Sequence, residues 1–345
     1  FIAGALDTVG SVLVDAKGSG AAAGLFTMNA NITTQGDFTN NGTLALNANL
    51  TTGDANTLNG TTNDFINNGT TTLTADRTIT TEGGLSGATT GIINVNNSGT
   101  TLTLVQSGDT TYSGKIQGAG NFVKDGNGNL TLNGTAGNID LDEGTVVNDG
   151  TLTTELANVF AADQDIVVNT DGILHIKIGS QSVDTITNSG IVNLDDDLTV
   201  RVLTNNLLAT FNQEADITST NAIMNGNWNV EGEGDVNYTR VLNTTTLTGN
   251  ATVSLAEYLK INQSGTSQFD GSISGNGKLE KTGNGALSIS DAQTFAGGLD
   301  VTGGTFQTLS GGTLNDSLDI HVYEDSTFIA GALDTVGSVL VDAKG

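Results

Sequence analysis

The chain contains no proline and no cysteine among its 345 residues. Proline cannot donate to a β ladder and is confined to sheet edges and bulges. Its absence therefore favours a chain made largely of paired interior strands. The absence of cysteine excludes a disulfide framework and a cysteine nucleophile.

Aromatic residues are also scarce, at 5% of the chain. That is too few for a conventional globular core of this length. Thin stacked layers filled by isoleucine, leucine, valine and alanine agree better with the composition. Disorder is excluded as an explanation for the abundant glycine, asparagine and threonine, because 36% of the residues are hydrophobic and they alternate regularly with polar ones.

Basic residues are few: 11 lysines and arginines stand against 37 acidic residues, which gives a net charge of −26. Such a surface repels phosphate groups, so nucleic acid is excluded as a partner. The sequence has no run of 18 apolar residues, and we expect no membrane insertion in this segment. Strong acidity keeps extended molecules apart in solution and allows loose bridging by divalent cations.

Two stretches of the chain are identical. The residues FIAGALDTVGSVLVDAKG at 1–18 recur at 328–345, which gives a period of 327 residues. Because repeats dictate architecture, we expect 1–345 to form a single continuous β-solenoid, one tandem repeat plus an 18-residue overlap. We interpret the chain as a window on a longer tandem array, in which adjacent copies meet head to tail.

A weaker repeat lies inside the first. Gln106–Leu132 matches Gln263–Ile289 at an offset of 157 residues, which defines related half-units around 101–146 and 258–306. Every shared position is two residues from the next, which is the period of a β-strand. The residues on one face of each strand are therefore similar in the two half-units, and this face is called the kept face. The shared pairs are Tyr112 with Phe269, Gly114 with Gly271, Ile116 with Ile273, Gly118 with Gly275, Gly120 with Gly277, Phe122 with Leu279, Lys124 with Lys281, Gly126 with Gly283, Gly128 with Gly285, Leu130 with Leu287 and Leu132 with Ile289.

Beyond this match, the two halves are aligned with a different offset. Ile139–Val146 (IDLDEGTV) resembles Leu299–Phe306 (LDVTGGTF) at an offset of 160, which indicates three residues inserted in a loop. The shared glycines are interpreted as corners between short strands. One stretch, Thr154–Ala162, is predicted to be a short helix or irregular.

A turn motif of asparagine and glycine followed by a strand former recurs along the chain. Asn-Gly and Asp-Gly favour tight turns, and the spacing predicts coils of about 20 residues with asparagine and threonine ladders between them. At roughly 4.8 Å per stacked coil, one 327-residue period would span roughly 75 to 80 Å. A sandwich, with turns every 8 to 12 residues, stays open for some parts. The motifs begin at Asn40, Asn67, Asn97, Asn148 and Asn188.

The long shared pattern resembles the passenger-associated repeat of bacterial autotransporters. It reads aromatic-x-Gly-x-Ile-x-Gly-x-Gly-x-[Phe/Leu]-x-Lys-x-Gly-x-Gly-x-Leu. The resemblance implies an all-β, right-handed parallel β-helix on the bacterial outer surface or outside the cell, exported through an outer-membrane β-barrel. A motif of glycine, lysine and aliphatic residues carries no chemistry, so no functional residue transfers with it.

Residues able to carry catalysis are sparse. His175 and His321 lie in alternating strand patterns and are interpreted as ordinary strand residues. Carboxylate pairs of a polysaccharide-degrading β-helix enzyme are one hypothesis for the acidic clusters, and solvated turns are the other. We expect no enzyme and no catalytic residue. The acidic clusters are Asp195–Asp197 and Asp140, Asp142 and Glu143.

A calcium loop is suggested at Asp125–Asn129 (DGNGN), which begins like an EF-hand. Leu130 stands where that loop needs glycine and Ala136 where it needs glutamate. We therefore expect no specific metal site and no cofactor, with loose surface binding of Ca²⁺ at most.

The functional prediction is a structural repeat module of a long bacterial surface or extracellular fibre, adhesive or matrix-forming. The alternative is a receptor- or glycan-binding adhesin module that recognises a host or neighbouring cell through loops, with Trp228, Tyr238 or Tyr258 contributing. An exported polysaccharide-degrading enzyme and a phage fibre are weaker alternatives.

Overall fold

The computed structural model describes residues 2–3, 7–15, 25–52, 64–231, 239–331 and 334–342. Within these ranges the structure is all β and contains no helix. None of the described residues belongs to a helix long and apolar enough to cross a membrane. The chain divides into two compact units, Phe1–Val183 and Asp184–Gly345.

The strands of the first unit are short, with bounds as follows. They are β1 Ile2–Ala3, β2 Asp7–Val9, β3 Val12–Val14, β4 Leu25–Met28, β5 Ile32–Thr34, β6 Phe38–Asn40, β7 Thr43–Leu46, β8 Leu50–Thr52, β9 Phe65–Asn67, β10 Thr70–Leu73, β11 Arg77–Thr81, β12 Leu85–Ser86, β13 Ile92–Val95, β14 Thr101–Gln106, β15 Thr110–Tyr112, β16 Lys115–Gly118, β17 Asn121–Asp125, β18 Asn129–Leu132, β19 Ile139–Leu141, β20 Thr145–Glu155 and β21 Asp165–Ile178.

The division between the units falls within β22, and the remaining strands belong to the second unit. They are β22 Gln181–Asn188, β23 Ile191–Leu194, β24 Leu198–Asn205, β25 Thr210–Gln213, β26 Ile217–Met224, β27 Asn227–Val230, β28 Thr239–Thr244, β29 Thr246–Thr248, β30 Thr252–Leu255, β31 Tyr258–Gln263, β32 Thr266–Phe269, β33 Ser272–Ser274, β34 Leu279–Thr282, β35 Ala286–Ile289, β36 Leu299–Val301, β37 Gly304–Thr308, β38 Asp319–Val322, β39 Ser326–Ile329 and β40 Ser338–Val341.

Three consecutive strands make one coil of the first unit, and equivalent strands of successive coils pair in parallel. We call each resulting sheet a stack. The first stack runs β1-β4-β7-β10-β13-β16-β19, the second β2-β5-β8-β11-β14-β17-β20, and the third β3-β6-β9-β12 and then β15-β18. Strand β20 is long enough to pair with both β17 and β18.

The second unit has the same three-sided plan. Its first stack contains β27-β30-β33, its second β28-β31-β34-β36-β38-β40 and its third β32-β35-β37-β39. Successive coils are about 20 residues apart, and the two units together contain about 15 right-handed turns. The predicted fold class, a right-handed parallel β-helix, is confirmed.

The kept face of the half-unit repeat is the interior of the coils. Tyr112 and Phe269 are both buried, as are Phe122 and Leu279 at the next matched pair. Side chains alternate between inside and outside along each strand, so the shared positions two residues apart all point inward. The two halves therefore keep the same core while their outer faces differ.

Beyond the long match, the sequence alignment of the halves at offset 160 is wrong. Strand β19 pairs with β16 in the first stack, whereas β36 pairs with β34 in the second. The counterpart of β36 is the start of β20, where Thr145 pairs with Phe122. Gly150 and Gly304 fix the true register, an offset of 154: their φ angles are 67° and 65°. A Cβ would meet equivalent carbonyls in both turns.

The stretch Thr154–Ala162 is irregular rather than helical. Strand β20 continues to Glu155, and turns follow until Phe160 forms an isolated bridge with Ile139. Phe160 is buried and continues the first stack without a regular strand. The helical alternative is therefore wrong.

The two identical 18-residue stretches form different strands. Val12–Val14 is β3 and pairs with β6 in the third stack, whereas Val339–Val341 lies in β40 and pairs with β38 in the second stack of its unit. The partner strand therefore differs although the sequence is the same. One continuous solenoid over 1–345 stays a prediction.

Candidate functional site

Charged and aromatic side chains form a connected group on the outer face of the second stack in the second unit. Lys260 of β31, Glu280 of β34, Asp300 of β36 and His321 of β38 occupy successive positions in register. Their neighbours along each strand are buried, and all of these neighbours except Lys281 are apolar. Strand alternation therefore places these four side chains together on the outside. We call this group and its contacts the outer network.

Glu280 is the first of two carboxylates that the other side chains of the outer network contact. Its carboxylate lies 3.1 Å from Lys260 Nζ and accepts a hydrogen bond of 2.6 Å from the Thr302 hydroxyl. The Tyr258 hydroxyl donates to the other carboxylate oxygen. Burial acts to raise the pKa of Glu280, but the hydrogen bonds from Thr302, Tyr258 and Lys260 outweigh it and the pKa lies below its ordinary value. Burial, followed by contact with this carboxylate, raises the pKa of Tyr258.

Asp300 is the second of these carboxylates. Lys278 Nζ lies 2.6 Å from its carboxylate, and the Tyr323 hydroxyl donates to the same oxygen at 3.4 Å. Lys278 Nζ also lies 5.6 Å from the centre of the Tyr258 ring, which connects the two carboxylates through a cation–π contact. The side chains of Glu280 and Asp300 are only 9% and 11% exposed. Both carboxylates are therefore held in place.

An aromatic pair extends the network to the next coil. The His321 ring stacks on the Tyr323 ring at 3.8 Å between centres and an angle of 24°. His321 Nε2 lies 3.0 Å from Asp342 Oδ1. Burial, then the charge of Asp300, raises the pKa of Tyr323. The stacked rings therefore lie beside the Asp300 carboxylate.

Two recesses adjoin the outer network. One has a volume of about 240 Å³ and is lined by Lys278, Asp300, His321 and their neighbours. The other, of about 210 Å³, is lined by Tyr258 and, again, Lys278. Gly297 also borders both. Lys278 thus stands between two small, adjoining recesses.

Sequence reasoning gave His321 only as a strand residue and Tyr258 only as one of three aromatic candidates. The sequences of the two half-units differ at the positions that form this site, and this difference could have pointed to it. Tyr258, Lys278 and Glu280 occupy the outer positions held by Thr101, Asn121 and Val123 in the first half.

The other candidate residues are not brought together. His175 lies half-buried on β21, opposite Thr153 of β20. Asp195–Asp197 forms a turn outside the strands, in which the Asp196 carboxylate accepts from the Asp197 amide at 2.8 Å. The solvated-turn interpretation agrees with this placement.

The cluster around Asp140 and Asp142 borders an open recess of about 340 Å³. Glu143 points elsewhere: its carboxylate accepts hydrogen bonds from the Ser98 hydroxyl at 2.6 Å and the Gly99 amide at 2.7 Å. These two bonds lower its pKa. Within the described ranges, no three histidine, aspartate or glutamate residues are placed to hold a metal ion.

Of the aromatic candidates for loop recognition, Trp228 is 1% exposed and lies inside the second unit. Its indole donates to the Gln213 side chain at 3.0 Å, so it is a packing residue. Tyr238 lies outside the described residues.

The turn at Asp125–Asn129 surrounds the side-chain ammonium group of Lys124. Lys124 is fully buried, and its Nζ donates to the carbonyls of Asp125, Gly126 and Asp149 at 3.0, 2.7 and 3.1 Å. Burial lowers its pKa to about 8 against the opposing charges of nearby aspartates. These carbonyls are directed at an ammonium group.

Lys281 repeats this arrangement in the second unit. Its Nζ donates to the carbonyls of Thr282, Gly283 and Gly303, the structural counterparts of the three carbonyls around Lys124. Burial lowers its pKa to about 8 as well. Sequence analysis identified the pair as shared positions without predicting that they are buried.

No protein-family model matches the chain, and no curated protein sequence matches it significantly.

Proposed function

We propose that this chain is a structural repeat module of a long bacterial cell-surface or extracellular fibre, exported in the manner of autotransporter passengers. The observation that carries the proposal is that, within each unit and among the described residues, strands of successive coils pair directly with one another. A fold of this kind lengthens by adding coils, since each contacts only its neighbours. We propose a mechanical and adhesive role without catalysis and without a cofactor.

Interior polar contacts support this role because they join coils in series. Asn40 Nδ2 donates to Asn67 Oδ1 at 2.9 Å across one interval, and Asn67 Nδ2 donates to the Tyr112 hydroxyl at 3.1 Å further along. In the second unit, Asn188 donates to Asn205 at 2.8 Å in the same way. Such contacts resist sliding of one coil against the next, since a slip would leave buried polar groups unpaired.

Adjacent copies of the repeat are the proposed partner. In β40, Val339 and Val341 are in register with the buried Ile320 and Val322 of β38, yet they are 52% and 64% exposed. An apolar edge strand is a template for pairing with a further strand. Because the period is 327 residues, Val339 and Val341 are equivalent to Val12 and Val14 of the following copy, and the rest of that copy is the proposed occupant.

The test compares recombinant chains with one and two tandem copies of the 327-residue repeat, with length measured by electron microscopy and small-angle X-ray scattering. We expect the second copy to lengthen the particle by roughly 75 to 80 Å at constant width. Two particles joined by a flexible segment would contradict the proposal.

A matched pair of junction variants sharpens this test. Val341→Asp places a charge at an inward position of the junction strand and should break the rigid spacing. Leu340→Asp, at the neighbouring outward position opposite His321, should leave it unchanged. Immunolabelling of intact source bacteria tests the location, and sequencing of the flanking gene tests for further copies and an export domain.

A further inference from the structure

We infer that the outer network of the second unit binds a neutral glycan chain laid across strands β31, β34, β36 and β38. The binding surface is the outer face of a stack, and it differs from the loops considered in the sequence analysis. The glycan site does not depend on the proposed fibre role, since a fibre module with or without it has the same interior.

The first support is the contrast between the two halves of the repeat. The column Lys260, Glu280, Asp300 and His321 has as its counterpart Thr103, Val123, Val146 and Val167, which are likewise in register on the second stack of the first unit. The interior residues match while this outer column changes from small and aliphatic to charged and aromatic. Since Thr103 and the valines satisfy the same fold, the charged column is not required by it.

The second support is the geometry of the polar groups. Glu280 and Asp300 are almost fully buried, and each is oriented by a lysine and a tyrosine. Fixed donors and acceptors of both kinds in a small area suit a ligand rich in hydroxyl groups, which donate and accept together. The side chain of Lys278 is 38% exposed between the recesses and remains accessible to such a ligand.

The third support is the shape and the aromatic lining. The recesses of about 240 and 210 Å³ lie below the range of roughly 300 to 1,000 Å³ typical of drug-sized ligands. Two small adjoining recesses suit successive rings of one chain. Tyr258 lines one recess and His321, which stacks on Tyr323, lines the other, and these rings offer flat faces for the C–H face of a sugar ring.

Charge decides in favour of a neutral ligand. Both lysines of the network are paired with carboxylates, and Asp319 and Asp342 place two further carboxylates beside them. A uronic-acid or sulfated polymer would meet a negative surface on a protein of net charge −26. Binding without cleavage is expected, because the lowered pKa of Glu280 does not suit a general acid at neutral pH.

The experiment titrates the full chain with neutral oligosaccharides (hexamers of glucose and of N-acetylglucosamine) and with a galacturonic acid hexamer, using calorimetry and saturation-transfer NMR. We expect a neutral hexamer to bind with a dissociation constant of roughly 1 mM or lower, and the acidic hexamer to bind at least tenfold more weakly.

The key variant combines Tyr258→Thr, Lys278→Asn, Glu280→Val and Asp300→Val, which installs the residues of the first half and leaves no buried carboxylate without its partner. Binding should weaken at least tenfold while circular dichroism and thermal stability stay close to the unsubstituted chain. Lys177→Asn is the matched control, since it removes a lysine from an exposed ion pair with Glu155 in the first unit, and it should bind as the unsubstituted chain does.

The inference is overturned if neither neutral hexamer binds at millimolar concentration, if the acidic hexamer binds more tightly, or if the fourfold variant binds as well as the unsubstituted chain. None of these outcomes alters the length expected for one and two copies, so a failure of the glycan site and a failure of the fibre role are told apart.

Discussion

At the scale of single residues, the two buried lysines make the stability of the chain depend on pH. Their pKa falls from 10.5 in the unfolded chain to about 8 in the folded one. Between these values the unfolded state binds more protons, so stability rises with pH. We expect the free energy of unfolding to increase by about 1 to 3 kcal/mol per lysine between pH 8 and pH 10, measured by urea denaturation.

Above pH 10, ionisation of a buried tyrosine opposes this rise in stability. Burial raises the pKa of Tyr112 beyond its ordinary value of 10.0, so its contribution to stability is lost only as the pH rises past 10. Replacing Lys124 and Lys281 by methionine should flatten the rise between pH 8 and pH 10. Lys177→Met, at an exposed position, should retain it. A stability that falls with pH in the unsubstituted chain would show that the surrounding carbonyls favour the ammonium form more than burial opposes it.

One glycine gives a second prediction at this scale. A Cβ at Gly271 would lie 2.2 Å from the Ala251 carbonyl and 2.5 Å from the Phe269 ring, whereas nothing lies within 4 Å of a Cβ at Gly10. Gly271→Ala should therefore lower the free energy of unfolding by roughly 1 to 3 kcal/mol through overpacking. Gly10→Ala should change it by less than about 0.5 kcal/mol, and equal losses in the two variants would count against the close packing at Gly271.

At the scale of elements, buried asparagines tie the coils together. Asn67 bonds Asn40, Thr71, the Ile92 carbonyl and the Tyr112 hydroxyl from one interior position. Asn67→Leu should cost roughly 1 to 3 kcal/mol, because it leaves buried partners unsatisfied.

The control for this change is Asn47→Ala, which removes an exposed contact to Asn29 and should cost less than about 0.5 kcal/mol. Chemical denaturation of both variants at neutral pH measures the difference. An Asn67→Leu chain as stable as the unsubstituted one would mean that the buried ladder does not hold the coils.

The turn motif predicted corners but not their environment. Asn40, Asn67 and Asn188 are buried at corners, while Asn97 and Asn148 are exposed. All five read alike in sequence, since the motif specifies a turn and not which way its first side chain points. Burial depends on the position of the turn within the coil, which only the neighbouring coils determine.

At the scale of the whole molecule, the fold class was predictable because period-two alternation is a local property repeated along the chain. The partner of each strand was harder to predict, because identical residues form β3 in one place and part of β40 in another. The outer network was missed for a related reason. Lys278 and Asp300 are more than one coil's worth of sequence apart, and their contact exists only once coils are stacked.

Net charge gives a prediction for the entire chain. With a charge of −26, self-repulsion opposes compact states, and salt reduces its range from about 30 Å at 0.01 M to about 8 Å at 0.15 M ionic strength. The melting temperature should therefore rise by a few degrees when sodium chloride is raised from roughly 0.01 M to 0.15 M, as followed by circular dichroism. A fall would indicate that attractive ion pairs, such as Lys260 with Glu280, dominate over repulsion.

The ammonium groups of Lys124 and Lys281 have one more consequence. Each lies among carbonyl oxygens at a corner, and the corner that follows Lys124 begins like a calcium loop. A bound ion exchanges with its surroundings, but a lysine is tethered and cannot be diluted away or chelated. These corners should keep the same stiffness in calcium-poor and calcium-rich water, because a lysine ammonium group occupies the space among the carbonyls that a metal ion would otherwise fill.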